Sequence, residues 1–95
     1  MIKHCIMIKL KDNSEENKNL VKQKLLSMDG KVKMISKLEV LTDFLASERS
    51  YDVLLSNELC DEQALDDYQN DEYHCEIKKF VKEVALSVIA VDAYI

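Results

Sequence analysis

Residues 2–10, IKHCIMIKL, alternate in period two: Ile2, His4, Ile6, Ile8 and Leu10 fall on one face, Lys3, Cys5, Met7 and Lys9 on the other. This reads as a β-strand with a histidine on its apolar face. The other end of the chain answers it. Across residues 86–94, Leu86, Val88 and Ala90 share one side while Ile89, Val91 and Ala93, followed by Ile95, share the other, so this strand is apolar on both faces and needs cover on both.

Between these strands the periodicity changes repeatedly. Asn13 with Glu16 three residues on has the spacing of a capping pair, and Leu20, Val21, Leu25 and Met28 then recur as on a helix until Asp29 and Gly30. Gly30, the only glycine, suits the left-handed residue that stops a helix. Residues 37–44 (KLEVLTDF) alternate again, with Leu38, Val40, Thr42 and Phe44 on one side, and residues 51–59 do so through Tyr51, Val53, Leu55, Asn57 and Leu59. The polar run 46–50 joins them as a loop. A short helix is expected from Asp61 and Glu62 through Ala64, Leu65 and Tyr68, ending in Gln69, Asn70 and Asp71. The clearest helix follows, with Tyr73, Ile77, Phe80, Val81 and Val84 forming one apolar stripe.

Strand, helix, strand, strand, helices, strand is the order of an α+β, ferredoxin-like fold: a four-stranded antiparallel sheet with helices on one face. With 95 residues and 47% hydrophobic composition, the chain is expected to form a single domain over 1–95. The second sheet face then lacks a partner. His4, Ile6 and Ile8, with one face of residues 86–95, are expected to stand in water in a single subunit, as a patch of the kind that marks an interface. A second copy packing sheet to sheet would remove several hundred Å² per subunit, worth on the order of 10 kcal/mol at ~25 cal/mol per Å² before association entropy. The expected partner is therefore the chain itself, as a homodimer through the open sheet face.

Charge and composition exclude other partners. The net charge of −5 disfavours nucleic acid and anionic lipid. No apolar run approaches the ~20 residues that span a bilayer, and the first residues lack the order of a signal peptide, so a cytoplasmic location is expected. Cys5, Cys60 and Cys75 are odd in number and form no CxxC pair, and are read as reduced thiols.

IKHCIMIKLKD at the start, KLEVLTDF, SYDVLLSNEL, ALDDYQNDEYH, KKFVKEV and the closing VIAVDAYI together resemble the stress-responsive A/B barrel (Dabb) family, across nearly the whole chain. The resemblance implies a dimeric α/β barrel in which two ferredoxin-like subunits close eight strands between their sheets. Most members have no assigned reaction. One plant branch contains a polyketide cyclase that forms olivetolic acid by intramolecular aldol condensation without metal or cofactor. His4, Tyr68 and His74 match that cyclase's pattern, which implies His74 as a catalytic base, Tyr68 as its hydrogen-bonding partner and His4 in the same pocket. The chain departs from the family at Asp71-Glu72, where members commonly read His-Pro, and at Cys60, where an Asp commonly caps the short helix.

Each candidate also has an ordinary reading. A lone histidine among Ile2, Ile6 and Ile8 is more often a hydrogen-bonded core residue, and Tyr68 on a short helix more often a core aromatic. His74 in the first turns of its helix feels a dipole that favours neutral imidazole, as a general base needs, while Asp71 and Glu72 pull the other way. His4, Cys5, His74 and Cys75 do not make a metal site, because strand neighbours point to opposite faces and helix neighbours diverge by about 100°. No glycine-rich phosphate loop or GxSxG is present, so no cofactor is expected. Asp66, Asp67, Asp71 and Glu72 read as a solvated acidic edge. Three functions stay open: a barrel holding a small apolar or carbonyl ligand, a cofactor-free cyclase or lyase, and a monooxygenase of the wider superfamily.

Overall fold

The computed structural model describes residues 1–95. The elements run β1 (Ile2–Leu10), α1 (Glu15–Leu26), β2 (Ile35–Thr42), β3 (Val53–Leu59), α2 (Glu62–Asn70), α3 (Glu72–Val84) and β4 (Ala85–Tyr94). They form one antiparallel sheet in the order β2-β3-β1-β4, which is the expected ferredoxin-like arrangement. β1 is central, hydrogen-bonded to β3 on one edge and to β4 on the other. In both ladders residues opposite one another share a face, so His4 stands beside Asn57 on one side and Asp92 on the other.

The helices cover the face that carries Ile2, His4, Ile8 and Leu10, all of them buried, and the core gathers there with Val21 and Leu25 of α1, Leu55 and Leu59 of β3, and Ile77 and Val81 of α3. This reverses one expectation. His4, Ile6 and Ile8 do not face the open side of the sheet; the row left uncovered is Cys5, Met7, Leu41, Leu54, Ile89 and Val91. The more hydrophobic parity of β1 goes under the helices because that burial is intramolecular and removes the most apolar surface. β4 was expected to need two covers and within one subunit has neither: Leu86 on one side is 65% exposed and Val91 on the other 66%.

Local signals account for the element ends, with shifts. Ser14 rather than Asn13 caps α1, its Oγ accepting from the Asn17 amide at 3.2 Å, while Asp12 turns the chain by accepting from the Ser14 amide. The helix stops at Leu26; Gly30, at φ +80°, lies in the following turn, where the amides of Lys31 and Val32 both bond the Met28 carbonyl. Phe44 falls beyond β2 and is 91% exposed. Asp52 precedes β3, and its buried carboxylate accepts from the Leu10 amide at 2.7 Å, closing the end of the β1–β3 ladder. On α1 the phase set by Val21, Leu25 and Met28 turns Leu20 outward and Lys18 inward, with the Lys18 ammonium reaching the Asp43 carbonyl at 2.8 Å and Glu15 at 2.7 Å.

That phase has a measurable consequence. Leu25→Ala should cost about 2–5 kcal/mol in urea unfolding, as for a fully buried leucine, whereas Leu20→Ala should stay within about 0.5 kcal/mol. Equal costs would show that the helix phase is wrong.

Candidate functional site

Between the covered sheet face and α3 lies a cavity of about 430 Å³ with a mostly apolar lining that includes Ile6, Met28, Leu55, Ile77 and Val81. That size is typical of a small-molecule site. His4, Tyr68 and His74 all line it. β1 supplies His4 from the middle of the sheet, α2 supplies Tyr68 from its last turn, and α3 supplies His74 from its first turn. The junction between the two helices brings the last two together. Asp71, the single residue between α2 and α3, ends the one and caps the other, accepting from the His74 amide at 3.0 Å, and the His74 ring stacks on Tyr68 with centroids 3.8 Å apart. Asp71 is thus a structural cap rather than part of a solvated edge. Asp61 caps α2 through the Ala64 amide at 2.8 Å, one residue after Cys60, so the departure at Cys60 leaves the helix start intact.

The hydrogen bonds assign protons. A carbonyl oxygen can only accept, so the contact of His74 Nδ1 with the Tyr68 carbonyl at 2.8 Å places the hydrogen on Nδ1 and leaves Nε2 as a lone pair. Burial pushes the His74 pKa down to about 4, and the charges of Lys78 and His4 act in the same direction, while the bond to the Tyr68 carbonyl opposes them. His74 is neutral at pH 7. His4 makes its Nδ1 contact with the Asp92 carboxylate, which fixes its tautomer and leaves its Nε2 free. The His4 ring meets Tyr68 edge-on at 5.5 Å. Burial pushes the Tyr68 hydroxyl up to about 12, with Asp92 adding to the rise, so it stays protonated and can donate to a ligand oxygen.

The structure thus gathers the three residues singled out from the sequence and adds two that were missed. Asp92 is the one acid in the apolar run 88–95, and its signal was its register opposite His4. Asn57 occupies a core position on β3, is fully buried, and neither atom of its amide meets a hydrogen-bond partner. It lies beside the Tyr68 hydroxyl, near enough to draw the tyrosine's pKa down but outside hydrogen-bonding geometry. A polar residue at an apolar-parity position was the available clue. No group of three or more His, Cys, Asp or Glu residues is placed to hold a metal ion, and no helix is long and apolar enough to cross a membrane.

A family model described as the stress responsive A/B barrel domain matches residues 2–95. Among solved structures, a dimeric ferredoxin-like protein of unknown function from Bacteroides fragilis is 24% identical, with 99% of this chain and 95% of that chain covered and a TM-score of 0.82. A Dabb family protein from Mesorhizobium loti is 17% identical over 99% and 95%, at 0.78. The hydroxynitrile lyase of Passiflora edulis is 8% identical over 99% and 92%, at 0.84. At these identities the likeness is one of fold. No curated protein matches the chain.

The His74 pKa makes stability depend on pH. An unfolded histidine takes its proton near 6.5 and the folded one only near 4, so between those values the unfolded chain binds more protons and acid favours unfolding. Lowering the pH from 7 to 4.5 should therefore cost the wild type about 2 kcal/mol more than His74→Phe. The phenyl ring retains the stack, and the Tyr68 carbonyl keeps its bond from the Asp71 amide. Parallel urea-midpoint curves for the two proteins would contradict the assignment.

Proposed function

Since the chain belongs to the stress responsive A/B barrel domain family, we propose that it works as a homodimer, paired through the open sheet face, that holds a small apolar ligand in the cavity of each subunit. The observation that carries the ligand reading is the cavity itself, apolar in its body with free hydrogen-bonding groups at one place, Nε2 of His4, Nε2 of His74 and the Tyr68 hydroxyl. Convergent polar groups in an apolar hollow suit a ligand with a single carbonyl or hydroxyl among hydrocarbon. The pairing reading rests on Met7, Leu41, Ile89 and Val91, an apolar row 43–66% exposed on a sheet face that nothing in the subunit covers.

Binding is favoured over cyclase or lyase chemistry by the state of His74. Abstraction of a proton next to a carbonyl wants a base whose pKa lies near the working pH. A histidine held at about 4 is neutral and available, but roughly a thousandfold less basic than one poised at 7. In this reading His74 accepts a hydrogen bond from the ligand, Tyr68 donates one, and Asp92 holds His4 in the tautomer that keeps its Nε2 free.

Two measurements test these readings separately. Light scattering at micromolar protein should give twice the subunit mass of 11.0 kDa, and Val91→Glu, which places a charge in the apolar row, should give the subunit mass; a monomeric wild type would end the pairing reading. The neutral fluorophore N-phenyl-1-naphthylamine should gain emission on binding the wild type, and Val88→Trp, which fills the cavity mouth from β4, should weaken its binding about tenfold or more. Undiminished binding by that variant would move the ligand site elsewhere.

A further inference from the structure

The cavity differs in charge from the molecule that contains it. The chain carries 18 acidic and 13 basic residues, yet no Asp or Glu lines the cavity, while Lys78 and Lys82 do. Both stand on α3, where His74, Lys78 and Lys82 follow one another at four-residue steps and share one side of the helix. Neither lysine has a carboxylate within ion-pair distance. Lys78 bonds only the carbonyl of Gln69 at 3.1 Å and its side-chain oxygen at 3.5 Å, whereas the neighbouring Lys79, outside the cavity, pairs with Glu76 at 3.9 Å. The Lys78 charge is felt inside the site, where it contributes to the depressed basicity of His74.

We infer that the ligand is an amphipathic anion, a hydrocarbon or aryl body bearing one carboxylate, whose body lies among Ile6, Met28, Leu55 and Ile77 and whose carboxylate is held at the mouth by Lys78 and Lys82. This rests on the ligand-binding reading and adds the charge of the ligand to it. A cation would meet two ammonium groups and no compensating acid. A neutral apolar molecule would fill the body and leave both lysines unused. Charge at the rim of a low-dielectric hollow also draws in an anion against the negative charge of the whole chain. His4, Tyr68 and His74 lie deeper, free for a carbonyl or hydroxyl within the ligand body, and the Asp92 charge there is occupied by His4.

Displacement of N-phenyl-1-naphthylamine by decanoate and by decanol, at pH 7.5 and low salt, tests the inference. Decanoate should displace the fluorophore at a concentration about fivefold or more below that of decanol, the scale of two partly exposed ion pairs. The preference should shrink at 0.5 M salt. Lys78→Gln with Lys82→Gln should abolish the preference by raising the decanoate midpoint while leaving decanol unchanged. Equal midpoints in the wild type overturn the inference and leave the apolar-cavity reading standing, as does a decanoate preference that survives in the double variant, since the anion would then be held elsewhere. Failure of the fluorophore to bind at all overturns both.

Discussion

β1 is hydrogen-bonded along both edges, and that constraint orders everything else. A strand paired on one side can shift its register or twist away at the cost of one ladder, but β1 would have to break pairing with β3 and β4 together. Its two parities are consequently locked, one under the helices and one on the open face. His4 sits on the covered parity, so Asn57 and Asp92 are brought beside it from strands far away in sequence, and the site forms where the central strand passes under the α2–α3 junction.

Placing polar rings in that location costs solvation, and the structure offsets the cost unevenly. His4 recovers it through a carboxylate and His74 through a backbone carbonyl, although both are buried. Tyr68 lies between them and packs against each ring in a different geometry, stacked on one and edge-on to the other. Asn57 recovers least, with its whole amide buried and unpaired. A core built only for stability would replace it with an apolar residue, since an unsatisfied amide costs on the order of 1–3 kcal/mol. Beside Tyr68 it is the one buried side chain whose polar atoms go without a partner.

β4 shows the opposite imbalance. It is an edge strand and supplies Asp92 to His4, yet its apolar residues are exposed on both sides within the subunit. An edge strand of this composition is an aggregation hazard unless something covers it. The same strand walls the cavity mouth through Val88. Whatever covers β4 therefore lies next to the cavity, so the open face and the cavity share one element.

The amino-acid sequence by itself determined the strands, the helices and their order, because period-two and period-3.6 patterns depend only on which residues are apolar and on fixed backbone repeats. It also brought out His4, as a polar residue on the apolar face of a strand, whereas Tyr68 and His74 stood out only through the resemblance to the family's cyclase. It left undecided which parity of β1 faces the helices, since Ile6 and Ile8 look equally suited to a core and to an interface, and the open face was assigned to the wrong row. The cap at Ser14 and the outward turn of Leu20 were missed because neighbouring residues compete for one helix phase, and packing decides between them. Asp92 and Asn57 escaped notice because their roles come from strand register, a pairing between residues 88 positions apart in one case and 53 in the other. The His74 basicity, finally, is a property of burial: the same residue beside the same Asp71 would titrate normally in water, and only the tertiary structure removes the water.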